Sequence, residues 1–215
     1  MSNKQTCILV LGMHRSGTSA TNGMLSILDV YLGSDLMKAD RDNEKGYFEN
    51  NVLYRINENL LSQIHSSWDD VFYDENKLEM IGKLDELKDK IRSEFKYSNT
   101  FAIKDPRLVF LFPIYKSVLE ELDIDIKIIL PYRNPLEVAN SLRKRDELSL
   151  EKGMLLWAYH FLLAEKFSRG HDRVFIDFDE LINDPEKVIE SISSKLNLNL
   201  MEKYQSKREE IHDFL

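Results

Sequence analysis

The chain has 215 residues, a length that suits one α/β domain with a buried core. Its formal net charge of −8 argues against non-specific nucleic-acid binding, which requires a basic surface. The single cysteine, Cys7, excludes an internal disulfide framework and fits a reducing compartment. The apolar run at 7–11 is too short for a signal-peptide core or a membrane span. We therefore expect a cytoplasmic protein without a membrane span.

Short apolar and β-branched runs predict the strands of a parallel sheet that is covered on both faces. They lie at 7–11, 30–32, 100–104, 126–131 and 173–177. Helical patterns lie at 18–28, 50–65, 77–96, 107–122, 135–145, 150–168 and 185–196. This alternation predicts a single α/β domain over residues 1–215, with a parallel sheet of about five strands flanked by helices. The charged stretch 68–98 is predicted to be a helical insertion, and we expect its aromatic residues Trp68, Phe72 and Tyr73 to pack in the core. The alternative is that the segment borders a ligand cleft and shapes access to it.

The first predicted strand leads into a glycine loop, Gly12-Met13-His14-Arg15-Ser16-Gly17-Thr18-Ser19. Backbone N–H groups in such a loop, together with the N-terminus of the next helix, converge on an anion. The form that binds nucleoside triphosphates reads G-x-x-x-x-G-K-[ST]. Here Thr18 stands at the lysine position and the cation lies inside the loop, at Arg15. The loop predicts an anion site but argues against ATP hydrolysis or kinase chemistry; the alternative is that the glycines merely admit a close helix.

Polar residues also follow the predicted strand at 100–104, in the order Lys104-Asp105-Pro106-Arg107. Asp105 and Pro106 are typical of a helix start, as N-cap and first helical residue. That explanation does not account for Lys104 and Arg107. Both are placed to face the crevice at the carboxyl ends of the strands, where ligands bind in open α/β sheets.

Arg133 follows the strand at 126–131, and Ser141 lies about two turns into the next predicted helix. An arginine and a hydroxyl in this arrangement can grip one phosphate from two sides through charge-assisted hydrogen bonds. The basic run at 143–145 is typical of a solvated helix end, although one of its members could join the site.

A carboxylate flanked by aromatic residues occurs in Gly46-Tyr47-Phe48-Glu49-Asn50. Partial desolvation raises the proton affinity of a carboxylate, so Glu49 is a candidate general base. The alternative is that Glu49 or Asn50 only caps the following helix. The residues themselves leave both interpretations open.

These four motifs, in this order, resemble the sulfotransferases that use 3′-phosphoadenosine 5′-phosphosulfate (PAPS), and especially their compact bacterial branch. The glycine loop is similar to the family's 5′-phosphosulfate loop, and Arg133 with Ser141 has the spacing of its 3′-phosphate site. The stretch 175–185 resembles the family's late strand and following helix. The resemblance extends from about residue 7 to residue 200 and implies a P-loop-like fold.

The resemblance also implies roles for individual residues. Those that would hold the donor PAPS, or its product 3′-phosphoadenosine 5′-phosphate (PAP), are Gly12, His14, Arg15, Ser16, Gly17, Thr18 and Ser19 at the phosphosulfate, and Arg133 and Ser141 at the 3′-phosphate. Glu49 would be the base, with Asp105 and His14 as alternatives, and Arg15 and Lys104 would stabilise charge in the transition state. No metal is expected, and nothing in the sequence identifies the residue that stacks on adenine.

The implied reaction is transfer of a sulfuryl group to a hydroxyl, or less readily an amine, of a small-molecule or glycan acceptor. The sequence specifies neither the acceptor nor the oligomeric state. Two departures weaken the match to the branch that acts on small phenols and steroids: its loop lysine is replaced by Arg15, and its downstream histidine has no counterpart. The competing functions are a P-loop kinase for nucleotides or small molecules, and a non-catalytic nucleotide-binding relative.

Overall fold

The computed structural model describes residues 4–41 and 43–215, which form an α/β fold around one parallel sheet. The strands in the described residues are β1 (Thr6–Val10), β2 (Thr100–Lys104), β3 (Asp125–Tyr132) and β4 (Asp172–Asp177). Their order in the sheet is β2-β1-β3-β4, and every neighbouring pair is parallel. The predicted fold class is confirmed, with four strands in place of about five.

Helices connect and cover these strands. They are α1 (Thr18–Ile27), α2 (Asn51–Gln63), α3 (Asp85–Phe95), α4 (Leu108–Glu121), α5 (Pro135–Asp146), α6 (Leu150–Ser168), α7 (Phe178–Asn183), α8 (Pro185–Leu196) and α9 (Met201–Phe214), with a short 3-10 helix at Glu75–Met80. Among the helices of the described residues, none combines the length and the apolar character that a membrane crossing requires.

Both faces of the sheet are buried, which explains why its strands read as continuous apolar runs. Successive side chains of β1 point to opposite faces. Cys7 and Leu9 pack with residues of α2, α3, α4 and α6. Ile8 and Val10 pack on the other face with residues of α1, α8 and α9.

The strand order creates a crevice at the carboxyl ends of β1 and β3. The connection that leaves β1 leads to β2 on one side of the sheet, whereas the connection that leaves β3 leads to β4 on the other side. Ligands of open α/β sheets bind at such a switch point, because the two connections diverge and leave space between them. The glycine loop after β1 and Arg133 after β3 both begin at this point.

Two predicted elements were wrong. The run at 30–32 forms no strand; it makes one parallel bridge, from Tyr31 to Phe101, before the chain turns at Gly33 with φ 109°. The predicted helix at 77–96 is divided into the 3-10 helix Glu75–Met80 and α3, because residues 81–84 leave the helical path. The apolar positions on which that prediction rested are nevertheless buried, including Leu87 and Ile91.

A buried chain of polar side chains fixes α2 against the start of α4. The hydroxyl of Tyr115 donates to Asn57 Oδ1 at 2.8 Å, and Asn57 Nδ2 donates to Asp105 Oδ2 at 2.9 Å. All three residues are buried, so each hydrogen bond satisfies a group that water does not reach. The network therefore sets the position of the β2–α4 junction, from which Lys104 and Arg107 project.

Replacing Tyr115 by Phe leaves Asn57 Oδ1 without its buried donor. We expect the free energy of unfolding to fall by about 1–3 kcal/mol, the cost of an unsatisfied buried acceptor. Urea denaturation measures this, and Tyr97→Phe is the matched control. Tyr97 is 90% exposed, so its loss should change the free energy of unfolding by less than about 0.5 kcal/mol. Equal stability of the two variants would contradict the structural role of the network.

Candidate active site

The glycine loop leaves the backbone amides at the start of α1 open to a ligand. Arg15 and Gly17 both take left-handed backbone conformations, with φ 68° and 89°. Gly17 is the N-cap of α1 and offers no side chain to bond the first amides of the helix. A Cβ at Gly17 would lie 2.5 Å from Cδ2 of Phe178, so the close approach of that ring also requires glycine. The result is an uncapped helix N-terminus that suits an anion.

A cavity of about 270 Å³ opens in front of this loop, and we call it the loop cleft. One part of its wall is polar and contains Arg15, Thr18, Ser19 and Arg133. Another part is aromatic and contains Phe48, Phe178 and Phe214. The cleft thus joins cations and helix amides to an apolar surface, a combination that suits a ligand with a charged end and a flat apolar end.

Arg15 and Arg133 both line this cleft, and Ser141, on α5, contacts Arg15 rather than Arg133. Arg15 Nε donates to Ser141 Oγ at 2.7 Å, which joins the loop to α5. The guanidinium carbon of Arg133 lies 4.6 Å from the centre of the Phe178 ring, and its Nε donates to Glu137 at 2.7 Å. These contacts hold both guanidinium groups at the crevice between the carboxyl ends of β1 and β3.

A second cavity, of about 340 Å³, has His14 of the glycine loop in its wall, and we call it the aromatic cleft. Its lining includes Tyr47, Tyr54 and Trp68, together with His14, Glu49, Arg107 and Arg145. The ring of His14 meets that of Trp68 edge-on, with centroids 4.6 Å apart. His14 therefore belongs to the wall of the aromatic cleft, although its neighbours in the loop face the loop cleft.

Lys104 connects the two clefts. Its Nζ donates to Ser19 Oγ at 3.2 Å, to the carbonyl of Tyr47 at 3.2 Å and to Glu49 Oε1 at 2.5 Å. Ser19 lines the loop cleft, whereas Glu49 lines the aromatic cleft. Lys104 is 4% exposed and Glu49 is 3% exposed, so the ion pair is shielded from water. A buried cation thus stands between a hydroxyl of the loop and a carboxylate.

The pKa of Glu49 is raised above its usual value, chiefly because burial disfavours the charged carboxylate. Lys104 opposes this shift, and the negative charge of Asp105 adds to it. The pKa of His14 is lowered well below its usual value by burial and by the charge of Arg145, so its imidazole is neutral at pH 7.

Both carboxylate oxygens of Asp105 accept hydrogen bonds within the protein. Oδ1 accepts from the backbone N–H of Arg107 and from its Nη1, each at 2.9 Å, and Oδ2 accepts from Asn57. Arg107 also pairs with Glu58 and lies over the ring of Tyr54 at 4.6 Å. Asp105 therefore anchors Arg107 at the edge of the aromatic cleft.

Sequence reasoning missed most of the aromatic wall. Phe178 directly follows β4, so the same rule that singled out Arg133 at a strand end could have identified it. Phe48 stands next to Glu49 in the motif that was recognised, but Phe214 carries no local signal. The prediction of core packing is confirmed for Tyr73, which is buried, and is wrong for Phe72, which is 87% exposed. Trp68 lines the aromatic cleft.

Within residues 4–41 and 43–215, no three His, Cys, Asp or Glu side chains lie together in a way that could hold a metal ion.

Similarity to known proteins is found in the fold and not in the sequence. No family model matches the chain. No curated protein matches it either.

Two solved structures are similar to it over most of its length. The sulfotransferase domain from the curacin biosynthetic pathway has 16% identity and a TM-score of 0.53, and the match covers 94% of this chain and 79% of that one. The sulfotransferase domain from the Synechococcus PCC 7002 olefin synthase has 16% identity and a TM-score of 0.50, with 95% and 79% covered. The chain therefore has the fold of these sulfotransferase domains, and the fold implied by the sequence resemblance is confirmed.

Replacing Lys104 by Met leaves Glu49 buried without its partner, and we expect a loss of about 3–5 kcal/mol in the free energy of unfolding at neutral pH. Removal of the cation raises the pKa of Glu49 further. Because the carboxylate is the costly form in the folded protein, the loss should shrink as the pH falls and Glu49 takes up a proton. Urea denaturation across the acidic range measures both effects.

Two further variants control this experiment. The double variant K104M/E49Q removes the unpaired charge and should recover much of the lost stability at neutral pH. Lys116→Met breaks an exposed pair with Glu120 and should cost less than about 1 kcal/mol. A K104M loss that is independent of pH, or no larger than that of K116M, would contradict a buried ionised pair.

Proposed function

We propose that the protein is a sulfotransferase that moves a sulfuryl group from PAPS to a hydroxyl of an acceptor. The observation that carries this proposal is the position of Lys104, whose ammonium contacts both a hydroxyl of the phosphate-type loop and a buried carboxylate in the neighbouring cleft. Transfer between two substrates requires such a junction, where a donor in one cleft meets an acceptor in the other. The fold shared with sulfotransferase domains supports the same reaction class.

The loop cleft fits the donor in charge and in shape. The uncapped amides of α1, with Arg15, Thr18 and Ser19, would hold the 5′-phosphosulfate, and Arg133 would hold the 3′-phosphate. Ser141 would keep Arg15 in place through the 2.7 Å hydrogen bond. PAPS supplies an activated sulfuryl group, so the protein's task is to orient it and to stabilise charge on the departing phosphate oxygens.

Glu49 is our choice as general base. It lies in the aromatic cleft, where its raised pKa makes it a stronger proton acceptor than an exposed glutamate. As the acceptor oxygen forms its bond to sulfur, the bond from sulfur to the 5′-phosphate oxygen breaks, and the hydroxyl proton passes to Glu49. Lys104 would stabilise the developing charge. Asp105 is a weaker choice because Arg107 and Asn57 occupy its oxygens.

The lining of the aromatic cleft favours a small-molecule or glycan acceptor with a ring. Tyr47, Tyr54 and Trp68 offer surfaces on which a planar ring or the apolar face of a sugar can pack. Polar groups at the same cleft, among them Arg107 and Arg145, can bond further hydroxyls or an acidic substituent. A single catalytic domain over residues 1–215 and a cytoplasmic location stay predictions of the sequence.

The kinase alternative is disfavoured at the loop itself. In P-loop kinases a lysine at the position of Thr18 neutralises the phosphoryl group in transfer. In this chain the cations that line the loop cleft are Arg15 inside the loop, Arg133 at the end of β3 and Lys45 from the segment before α2. That placement fits a donor with a second phosphate on its ribose better than it fits a triphosphate.

The donor assignment predicts that PAP binds without magnesium and that Mg-ATP does not compete. Arg133→Ala should weaken PAP roughly 10- to 100-fold, because a charged hydrogen-bond partner is lost. The same variant should leave adenosine 5′-phosphate, which lacks the 3′-phosphate, nearly unchanged. Isothermal titration calorimetry measures all three ligands.

Arg143→Ala is the matched control for this test, because Arg143 is an exposed arginine on α5 that bonds only weakly to Asn140, at 3.3 Å. It should bind PAP like the original protein. Preference of the original protein for Mg-ATP over PAP would replace the sulfotransferase proposal with a kinase. An Arg133→Ala penalty that is equal for PAP and adenosine 5′-phosphate would remove Arg133 from the 3′-phosphate site.

The choice of base predicts a separate outcome. Glu49→Gln should lower kcat roughly 10²- to 10⁴-fold, the usual contribution of a positioned base, while PAP affinity changes little. In the original protein kcat/KM should fall as the pH drops through the raised pKa of Glu49, because only the carboxylate accepts a proton. This acid limb should vanish in Glu49→Gln. If His14→Asn removes the limb and Glu49→Gln keeps it, His14 is the base.

A further inference from the structure

One outer edge of the sheet lies at β4. Within residues 4–41 and 43–215, β4 pairs with β3 on one side and with no strand on the other. An edge strand presents a row of backbone N–H and C=O groups that can bond another strand, and proteins often block such edges with proline or lysine. The six residues of β4 include neither. This edge, which we call the β4 edge, is therefore able to accept a further strand.

Aromatic side chains accompany the β4 edge on the side of the sheet that α6 covers. Phe175, in the second half of β4, is 36% exposed although it is a large apolar residue. Its ring centre lies 6.1 Å from that of Phe161 on α6, which stacks on Trp157 with centroids 5.2 Å apart. Phe161 and Trp157 are both half-buried. The β4 edge thus carries an aromatic cluster that solvent reaches.

Charged residues flank Phe175 on its own face of the sheet. Successive side chains of a strand point to opposite faces, and Val174 and Ile176 are buried on the face that α8 covers. Arg173, Phe175 and Asp177 therefore share the other face. A cation and an anion stand at equal distances along the strand, two residues before and two residues after the phenylalanine.

A second copy of β4, added antiparallel about a two-fold axis, matches this pattern. An axis perpendicular to the sheet keeps each face on its own side, so opposite residues come from the same face. With the axis at Phe175, the two Phe175 rings meet, and each Arg173 lies opposite Asp177 of the other copy. An axis at Arg173 or at Asp177 would oppose like charges, which is destabilising. An axis at Val174 or at Ile176 would set a charge against the phenylalanine.

We propose that the β4 edge is a homodimer interface, where a second copy of this chain pairs antiparallel with β4 about a two-fold axis at Phe175. The pairing would join two four-stranded sheets into one continuous mixed sheet. The charge pattern favours a second copy over a different strand, because the order Arg-x-Phe-x-Asp is complementary to itself when it is reversed. The inference does not depend on the proposed function, since no residue of β4 lines the loop cleft or the aromatic cleft.

Sedimentation velocity of the full chain, without donor or acceptor, tests this inference. We expect the original protein to reach the mass of a dimer as its concentration rises from about 1 to 100 μM. Phe175→Glu places two carboxylates at the axis and should raise the dimer dissociation constant at least about 30-fold, the effect of losing a central interface residue. Phe72→Glu is the matched control, because Phe72 is 87% exposed and lies outside β4 and α6. It should dimerise like the original protein.

A cysteine at the axis tests the register of the pairing. In Phe175→Cys the two introduced residues would lie directly opposite each other, with Cα atoms about 4.5–5.5 Å apart, a separation that a disulfide spans. With oxidised glutathione as the oxidant, their two thiols should form a disulfide and give a covalent dimer. Phe72→Cys should stay unlinked. The native Cys7 is buried and is present in both variants, so it does not affect the comparison.

Three outcomes would overturn the inference. The first is an original protein that stays monomeric at about 100 μM. The second is a dimer that Phe175→Glu weakens no more than Phe72→Glu does. The third is equal cross-linking of Phe175→Cys and Phe72→Cys. If circular dichroism shows that Phe175→Glu is unfolded, the cross-linking comparison decides, because cysteine adds no charge to the strand. Binding of PAP, measured separately, bears on the proposed function and changes none of these outcomes.

Discussion

The buried ion pair between Lys104 and Glu49 lies where three segments of the chain meet. Lys104 ends β2, Ser19 belongs to the first turn of α1, and Glu49 precedes α2. Burial of two charges costs several kcal/mol per ion, and their attraction repays this only with good geometry and further hydrogen bonds. Lys104 meets that condition by bonding the Tyr47 carbonyl and the Ser19 hydroxyl as well. A buried ion pair is weak evidence for stability, so the position of this pair between the glycine loop and the aromatic cleft is its more informative property.

The separation of the two clefts follows from this pair and from the strand order. The loop after β1 turns toward α1, so its amides and Arg15 face the crevice beside β3, where Arg133 emerges. His14, from the same loop, lines the aromatic cleft and meets Trp68. One short loop therefore contributes to both cavities, and Lys104 bonds Ser19 in the wall of one and Glu49 in the wall of the other.

Sequence patterns predicted the residues at strand ends because parallel strands bring their carboxyl ends to one edge of the sheet. Local patterns placed Arg15, Lys104, Arg133 and Ser141 at that edge. In the structure Arg15 and Arg133 line the loop cleft, whereas Ser141 and Lys104 contact residues of its wall, Arg15 and Ser19. The strand at 30–32 failed because three apolar residues make only one bridge before Gly33 turns the chain. Phe214 was out of reach, because it reaches the loop cleft beside Phe48 and Phe178 only after α9 has packed against α1. Side-chain roles within the clefts stay predictions.

Gly23 illustrates why the rest of the site could not be read from the sequence. A glycine inside a helix costs stability relative to alanine, and by itself it reads as a weakness of α1. Its reason lies in α9, whose Phe214 fills the space that a Cβ would occupy. The cost of one glycine is local, whereas its benefit is a contact between helices at opposite ends of the chain. Gly17 is a second example, because the ring of Phe178 can approach the glycine loop only where no Cβ is present. At both positions the missing Cβ lets an aromatic ring form part of the wall of the loop cleft. The shape of that cleft therefore requires glycine at residues 17 and 23.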